Sequence, residues 1–388
     1  MEDFNFCSRT RIIFGKGRET EVGEHIKPFA KKVLVHYGGD YLEKNGTLDR
    51  IITSLKASGV EPVLFDGVVP NPRLSVVKKG IALCRKEGIE FVLAIGGGSA
   101  IDSSKAIALG VPYDGDVWDF YTGKAEPKTA LKVGTILTIP GSGSEMSESS
   151  IITNEADDTK YGIDNQLIVP EFSILNPEMC FTIPPFFMSA GLADILSHQF
   201  ERYFTPTKFC LFSDHLLEGA MQAVIALSPK ILKDPQNYDY CAEFMWLATI
   251  SHNGVLDAGR QSDWASHRIE HEISALYDIT HGAGMAIIFP AWMKHVKTTD
   301  LDRFVRLGTR VFGVNPDGLG KEQIADLTIK AVEDFFASLN LKITLSEAEV
   351  PTDRFSEMAD KALGRSETIG RFQKLAHDDI VAVLKLAV

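Results

Sequence analysis

The sequence predicts an α/β fold in which a doubly wound parallel sheet is followed by an all-helical region. Over about the first 180 residues, short and continuously apolar runs alternate with helical patterns, as in parallel sheets buried on both faces. Beyond the adjacent prolines of NPEMCFTIPPFF (176–187), helical periodicity dominates to the last residue. We therefore expect an α/β domain at residues 1–180 and an all-α domain at residues 181–388.

Four apolar runs are predicted to form the buried strands of the sheet. They are KVLVHY (32–37), EPVLF (61–65), FVLAI (91–95) and VGTILTI (133–139). Helical patterns at 47–58 and 74–87 separate some of these runs, and YGIDNQLIVPEFSILNP (161–177) continues the α/β pattern more weakly. In the second half, apolar side chains recur at helical spacing at Leu192, Ile195, Leu196, Phe200 and Tyr203, and at Ile324, Leu327, Ala331 and Phe335.

Composition excludes several classes of function. The formal net charge of −12 argues against nucleic-acid binding, which needs a basic surface. No apolar run approaches the ~18 residues of a membrane-spanning helix. The five scattered cysteines and the acidic, non-apolar start MEDFNFCSRT favour a cytoplasmic protein with reduced thiols.

A glycine loop follows the third predicted strand and opens a helix. Its residues are Gly96, Gly97, Gly98 and Ser99. Glycines let the backbone approach a ligand closely, and the N–H groups at a helix N-terminus attract phosphate. The loop is neither the G-x-G-x-x-G motif, because Ile101 stands at the last glycine position, nor a Walker loop.

Two further loops strengthen the prediction of a phosphate-containing ligand. Gly38 and Gly39 follow the first predicted strand, and TIPGSGSEMSESS (138–150) follows the fourth. The carboxyl ends of parallel strands share one edge of the sheet, where ligands bind in open α/β folds. Together the three loops favour a dinucleotide over a single phosphate, and ordinary βα turns are the alternative.

Three of the ten histidines lie within SHRIEHEISALYDITHG (266–282). His267 and His271 are four residues apart and so share one face of a helix. His281 is fourteen residues beyond His267, which is ~21 Å along a straight helix. The two can bind one ion only if the chain turns between them, and YDIT (277–280), with Thr280 as an N-cap, permits that turn.

A second pair, Asp194 and His198, is also four residues apart. A carboxylate and an imidazole at this spacing, with two histidines from elsewhere, complete a four-ligand site for Zn²⁺ or Fe²⁺. The alternative is a solvated helix face, since Glu201 and Arg202 are close by in sequence. The remaining histidines, at positions 25, 36, 215, 252, 295 and 377, are expected to have ordinary roles.

Taken together, these stretches resemble the iron-containing alcohol dehydrogenase family, in particular its butanol dehydrogenase-like branch. The matching motifs are RIIFGKG (11–17), GVVPNP (67–72), GGGSAIDSSKAIA (96–108), TIPGSGSEMS (138–147), GLADILSHQFE (191–201) and DWASHRIEHEISALYDITHGAGMAIIFPAWM (263–293). The resemblance implies a dehydroquinate synthase-like fold, with a dinucleotide-binding domain, a helical metal-binding domain and an active site between them.

The resemblance also implies roles for individual residues. The metal ligands would be Asp194, His198, His267 and His281, and His271 would be a catalytic proton relay near the nicotinamide. The cofactor contacts would be Gly38, Gly39, Asn71, Gly96, Gly97, Gly98, Ser99, Asp102, Thr138, Ser142 and Lys160. The activity implied is reversible hydride transfer between NAD(P)H and short-chain aldehydes such as butanal, with Fe²⁺ or Zn²⁺ and a homodimeric enzyme.

The first glycine loop departs from the family pattern. NADP-using relatives tend to have GGGS here, whereas this chain has Gly38, Gly39, Asp40 and Tyr41. Tyr41 replaces a serine able to hold a 2′-phosphate, and Asp40 adds repulsion of ~0–1 kcal/mol. The departure favours NADH.

Three alternatives remain at this stage. A glycerol- or 1,2-diol-type dehydrogenase, related to lactaldehyde reductases, would share the fold and the metal. A dehydroquinate synthase-like lyase would need basic residues for a phosphate substrate, and no such cluster accompanies the ligand motifs. A nucleotide-binding module with a closed structural metal site belongs to a different functional class.

Overall fold

The computed structural model describes residues 1–388, which form two compact units. The sheet unit comprises Cys7–Ile183 and Gln236–Asn253. The helical unit comprises Met1–Phe6, Pro184–Pro235 and Gly254–Val388. Compared with the predicted domains, the sheet unit therefore also includes a later segment of the chain, and the helical unit also includes the first six residues.

The sheet unit contains eight strands: β1 Arg11–Phe14, β2 Lys32–Tyr37, β3 Glu61–Phe65, β4 Phe91–Gly96, β5 Lys132–Leu137, β6 Ser149–Asn154, β7 Thr159–Asp164 and β8 Phe172–Leu175. Six of them form a parallel sheet in the order β1-β8-β5-β4-β2-β3, and β6 and β7 form a separate antiparallel hairpin. The predicted parallel sheet, with strands at all four apolar runs, is confirmed. The expectation that Glu61–Phe65 is a buried strand is wrong, because β3 lies at the edge of the sheet and Leu64 is 44% exposed.

The helices of the sheet unit are α1 Val22–Ile26, α2 Tyr41–Lys44, α3 Thr47–Ala57, α4 Leu74–Glu87, α5 Gly98–Gly110, α6 Trp118–Tyr121 and α9 Tyr238–Ser251. Successive residues of a strand point to opposite faces of the sheet, and these helices cover both faces. In β2, Val33 and Val35 pack in one apolar cluster with residues of α1 and α3, whereas Leu34 packs in another with residues of α4 and α5. The fold is therefore doubly wound.

Helix α9 belongs to the sheet unit although it lies far along the chain. Its Thr249 hydroxyl donates a hydrogen bond to the buried Glu145 carboxylate at 2.6 Å. At its C-terminal end, His252 lies so close to Gly143 that an added Cβ there would come 2.5 Å from the Cβ of His252. The helix therefore packs on the loop that follows β5.

The helical unit contains α7 Pro185–Tyr203, α8 Leu211–Lys233, α10 Ala265–Tyr277, α11 His281–Val296, α12 Leu301–Leu307, α13 Lys321–Ser338, α14 Phe355–Leu363 and α15 His377–Leu386. The apolar stripe predicted in α7 is fully buried. In α13, Leu327 is 45% exposed, so the interpretation of this residue as part of the buried stripe is wrong; Thr328 and Ile329 are buried instead. None of the helices combines the length and the apolar character needed to cross a membrane.

Burial of His36 in β2 makes the stability of the sheet unit depend on pH. Its Nδ1–H donates to the Phe65 carbonyl at 2.9 Å, and its Nε2 accepts from the Ser103 hydroxyl at 2.8 Å. Burial lowers the pKa of this imidazole from 6.5 to about 4. The unfolded chain therefore binds the proton first as the pH falls, so stability should decrease between pH 6.5 and 4, by ~3 kcal/mol in total.

The measurement is denaturant unfolding of the metal-free protein from pH 7 to 4, compared with the variant His36→Asn. Asparagine keeps a donor and an acceptor but does not titrate in this range. The decrease in unfolding free energy should be smaller in the variant. Equal slopes in the two proteins would contradict the prediction.

Candidate functional site

Three helices of the helical unit bring the four predicted metal ligands together. Asp194 and His198 lie on α7, His267 lies on α10, and His281 begins α11. The Asp194 Oδ1 atom is 3.6 Å from His198 Nδ1 and 3.7 Å from His281 Nε2. Ligand atoms of Asp194, His267 and His281 all lie within 4.8 Å of one another, and the His198 and His267 ring centroids are 4.8 Å apart. We call these four residues the metal cage.

The chain turns where the sequence permits it. Helix α10 ends at Tyr277, Asp278 has a left-handed φ of 55°, and α11 begins after its N-cap Thr280. The turn places the ring centroids of His267 and His281 5.2 Å apart, instead of the ~21 Å expected along one straight helix.

The cage residues on α7 are buried. Asp194 is 6% and His198 5% exposed, and the neighbouring Glu201 and Arg202 are 0% and 2% exposed. The alternative interpretation of this segment as a solvated helix face is therefore wrong. Arg202 is accommodated because its Nε donates to Asp257 at 2.7 Å and its Nη1 donates to the His198 carbonyl at 2.7 Å.

Two buried glutamates orient the cage histidines. Glu201 accepts a hydrogen bond from His267 Nδ1–H at 2.7 Å, and Glu270 accepts one from His281 Nδ1–H. Both glutamates are 0% exposed, and burial raises the pKa of the Glu201 carboxyl to about 7. With Nδ1 occupied, each ring is left with Nε2 as its ligand atom.

This arrangement fits a bound metal. Histidine ligands usually donate their second N–H to a carboxylate or carbonyl, which fixes the tautomer and the ring orientation. One carboxylate and three imidazoles are a donor set suited to Zn²⁺ or Fe²⁺. Glu201 and Glu270 were missed by the sequence analysis, although Glu201 ends the motif GLADILSHQFE and Glu270 lies one helical turn from His267.

His271 lies beside the cage. Its ring centroid is 5.5 Å from that of His281, and its side chain is half-buried. It groups with Glu270 and His281 within 4.8 Å, whereas the group that contains Asp194 and His267 does not include it. The structure thus brings His271 next to one cage histidine only.

Two glycines in HGAG (281–284) allow α11 to approach its neighbours. A Cβ at Gly282 would overlap the Ala190 carbonyl of α7, and one at Gly284 would overlap the Glu270 carboxylate. Gly284→Ala should therefore displace Glu270 from His281 and weaken metal binding about 10- to 100-fold. Metal affinity is measured by competition with a chelator.

The matched control for this prediction is Gly219→Ala, which lies inside α8. An added Cβ there meets no atom within 4 Å, so metal affinity should not change and the helix should be slightly more stable. A Gly284→Ala protein with the affinity of the control would contradict the prediction.

In the sheet unit, the three predicted ligand loops lie at the carboxyl ends of the adjacent strands β5, β4 and β2. The loops touch one another. The Thr138 N–H donates to the Gly96 carbonyl at 3.0 Å, and the Thr138 and Tyr41 hydroxyls are 2.7 Å apart. A Cβ at Gly98 would lie 2.5 Å from Ser142 Oγ, so only glycine permits this approach.

Helix α5 begins at Gly98, with Gly97 as its N-cap. The backbone N–H groups of its first turn, which includes Ser99, point out of the end of the helix, where phosphate groups bind. In the first loop, Gly39 has a left-handed φ of 81°, and a Cβ at Gly38 would lie 2.5 Å from the Val68 carbonyl oxygen. These loops therefore fit the pyrophosphate of a dinucleotide.

The other predicted cofactor residues form buried polar pairs. Lys160 Nζ donates to Asn71 Oδ1 at 2.9 Å, and each residue is 5% exposed. Asp102 accepts hydrogen bonds from the Ser144 hydroxyl at 2.5 Å and the Ile151 N–H at 3.1 Å, and burial raises the pKa of this carboxyl. The structure thus places Asp102 against the hydroxyl-rich loop.

Lys105 is a residue that the sequence analysis missed. It is 0% exposed, and its Nζ donates to the carbonyls of Ser144, Ser147 and Ser149 at 2.7, 2.9 and 2.8 Å. Burial lowers the pKa of this ammonium group to about 8. The only signal for Lys105 in the sequence is its position one helical turn after Asp102. Together the two side chains hold residues 144–151 in place.

Comparison with known proteins places this architecture in one family. The model of iron-containing alcohol dehydrogenases matches residues 9–177, and the C-terminal model of the Fe-containing alcohol dehydrogenase family matches residues 188–388. The probable NADH-dependent butanol dehydrogenase 1 of Bacillus subtilis is 40% identical over 385 residues, with 99% of each chain covered.

Two further relatives of the same family also match the chain over nearly its whole length. NADH-dependent butanol dehydrogenase A of Clostridium acetobutylicum is 38% identical over 387 residues, with 99% of each chain covered. The crystal structure of NADH-dependent butanol dehydrogenase A from Thermotoga maritima has a TM-score of 0.96 and 38% identity, and covers 100% of this chain and 99% of its own. With both halves of the chain matched, the protein belongs to the iron-containing alcohol dehydrogenase family and is an oxidoreductase of that family.

Proposed function

We propose that the protein is an NADH-dependent alcohol dehydrogenase that interconverts short-chain aldehydes, such as butanal, and primary alcohols. The metal cage, with two of its imidazoles oriented by buried glutamates, is the observation that carries this proposal. Four relatives that are 36–40% identical are named NADH-dependent butanol dehydrogenases, and one that is 34% identical is the NADPH-dependent aldehyde reductase YqhD of Escherichia coli.

In the proposed enzyme, Asp194, His198, His267 and His281 hold a divalent cation, Fe²⁺ or Zn²⁺. When bound, the cation supplies a Lewis acid for the carbonyl oxygen. Three neutral imidazoles and one carboxylate leave a net positive charge at the site, as that role requires. Glu201 and Glu270 keep the rings of His267 and His281 in a fixed orientation before the substrate arrives.

The loops of the sheet unit hold the dinucleotide, which supplies the hydride. We assign the pyrophosphate to Gly96, Gly97, Gly98 and Ser99, with further contacts from Gly38, Gly39, Asn71, Asp102, Thr138, Ser142 and Lys160. Asn71 and Lys160 act as a pair, because their hydrogen bond fixes the direction of the ammonium group.

A preference for NADH follows from the first loop. Tyr41 stands where NADP-using relatives tend to have a serine able to hold a 2′-phosphate, and its hydroxyl is held 2.7 Å from that of Thr138. The exposed Asp40 carboxylate is paired with Lys44, which reduces its repulsion of a phosphate. Tyr41 rather than Asp40 is therefore the main determinant.

His271 is the proposed proton donor to the alcohol oxygen. Imidazoles titrate near neutral pH, and the His271 ring is half-buried beside His281. It would transfer the proton directly or through water and the ribose hydroxyls. The wild-type pH–rate profile should therefore contain an ionisation that is absent from His271→Ala.

Mixing the metal-loaded protein with NADH or NADPH and butanal, glycerol or propane-1,2-diol, with and without a chelator, tests the function. We expect NADH oxidation with butanal that the chelator abolishes. Faster turnover of glycerol or the diol would instead support a diol-type dehydrogenase. A relative that acts on a diol, the 1,3-propanediol dehydrogenase of Citrobacter freundii, is 25% identical to this chain. Bound nucleotide without turnover would support a binding module with a structural metal.

We further propose that the enzyme acts in the cytoplasm as a homodimer. The structure contains no disulfide among its five cysteines, which suits a reducing compartment. The dimer rests on the family resemblance, and light scattering of the purified protein tests it.

A further inference from the structure

The residue before helix α10 is a tryptophan in a left-handed backbone conformation. Trp264 has φ 68° and ψ 7°. This conformation is free of strain for glycine but costs free energy for a bulky residue, and such outliers concentrate at functional sites. Glycine would fit this backbone better, so tryptophan is present here because of its indole side chain.

The backbone around Trp264 is held from two sides. Glu201 accepts the Trp264 N–H at 2.5 Å through its carboxylate, and its carbonyl accepts the Asp263 N–H at 2.9 Å. The Asp263 carboxylate in turn accepts the N–H groups of Arg371 and Phe372 at 2.5 and 2.6 Å. These bonds, made by the buried residues Glu201 and Asp263, fix the direction in which the indole leaves the chain.

The indole lies against the metal cage. Its ring centroid is 6.0 Å from that of His198 and 5.1 Å from that of His267, both in edge-to-face geometry. The Arg202 guanidinium lies 4.9 Å from the indole centroid and covers one face. His198 and His267 are 5% and 4% exposed, whereas Trp264 is half-buried, so the indole is an accessible apolar surface beside these two imidazoles.

We propose that Trp264 determines substrate specificity by forming an apolar wall for the alkyl chain of the aldehyde. This inference rests on the proposed function, because it takes the carbonyl group to lie at the metal cage. Each methylene buried on such a wall is worth about fourfold in affinity. A second hydroxyl packed there would lose its hydrogen bonds to water, so the wall favours simple alkyl aldehydes over diols.

The first test does not depend on turnover. Butan-1-ol and hexan-1-ol are titrated into the metal-loaded protein while its tryptophan fluorescence is recorded. The chain has four tryptophans, and Trp246, which is 43% exposed in the sheet unit, provides the matched control. We expect a saturable change in the wild type and in Trp246→Phe but not in Trp264→Phe. A change that persists in Trp264→Phe, or none in the wild type, overturns the inference.

The second test compares kcat/KM for propanal and hexanal. Trp264→Gly removes the wall and relieves the backbone, and Trp264→Phe keeps part of the wall. Hexanal has three more methylenes than propanal, so we expect the hexanal-to-propanal ratio of kcat/KM to fall by up to about sixtyfold in Trp264→Gly and by less in Trp264→Phe, mainly through KM for the aldehyde. Metal content and KM for NADH should remain at wild-type values.

The outcomes separate this inference from the proposed function. If the wild type reduces no aldehyde with NADH, the proposed function fails. If the wild type reduces aldehydes but the ratio is unchanged in Trp264→Gly, only the role of Trp264 fails. Equal slowing of both aldehydes, or loss of metal from both variants, would show that Trp264 supports the cage rather than the substrate, and would also overturn the inference.

Discussion

Replacing His267 by alanine is expected to release the metal and to lower kcat/KM for butanal at least about a thousandfold. The substitution removes one of the four ligands and also one of the hydrogen-bond donors to the buried Glu201 carboxylate. Lewis-acid stabilisation contributes several kcal/mol to such reactions, and ~4 kcal/mol corresponds to a thousandfold change in rate. The measurement is metal per chain by elemental analysis, together with the rate of NADH oxidation.

The matched control is His271→Ala, one helical turn away in the same helix. This variant should keep its metal and show an altered pH–rate profile. If His267→Ala retains stoichiometric metal and full aldehyde reduction, the ligand assignment is wrong. If His271→Ala loses the ion, His271 is a ligand and the proposed proton donor must be sought elsewhere.

Replacing Lys105 by methionine is expected to destabilise the sheet unit by ~3–5 kcal/mol. Methionine resembles the lysine side chain in length but cannot donate to the carbonyls of Ser144, Ser147 and Ser149. The change also removes a buried positive charge that stabilises the ionised Asp102 carboxylate, and leaving a buried charge without its compensating charge typically costs this much. The measurements are the thermal unfolding temperature and the Kd for NADH, which should rise because residues 144–151 lose their anchor.

Lys78→Met provides the control for that experiment. Lys78 pairs with Asp116 at 2.6 Å on the surface, where both side chains are nearly half exposed, and such pairs contribute ~0–1 kcal/mol. The unfolding temperature of this variant should therefore stay close to that of the wild type. If both substitutions lowered the unfolding temperature equally, the buried Lys105 would contribute no more to stability than a surface lysine.

Sequence predicted those features that depend on local pattern. Continuous apolar runs identified β2, β4 and β5, because strands buried on both faces leave few polar positions. The same pattern identified β3, although this strand lies at the edge of the sheet and is only partly buried. The turn between His267 and His281 was predictable because the two residues can share one ion only if the chain turns between them. Its position was predictable because residues 277–280 lack strong helix formers. Three phosphate-type loops at one sheet edge followed from parallel topology.

Features that depend on distant pairing were not predictable. The position of β8 between β1 and β5 depends on pairing across more than a hundred residues of chain for β1. The burial of Glu201, Glu270 and Lys105 could not be predicted for a different reason. A single charged residue in a helical pattern is usually exposed, and its hydrogen-bond partners become known only in the folded structure. The strained backbone of Trp264 leaves no mark in the sequence, because tryptophan normally disfavours that conformation.

The return of α9 to the sheet unit has a consequence for dissecting the enzyme. A protein expressed from residues 7–183 alone would lack Thr249, the partner of the buried Glu145, while a fragment starting at 184 would carry α9 without the surface it covers. Neither half of the gene therefore encodes a self-sufficient folding module. Exchange of cofactor modules between relatives should succeed only when residues 236–253 are transplanted together with the amino-terminal part.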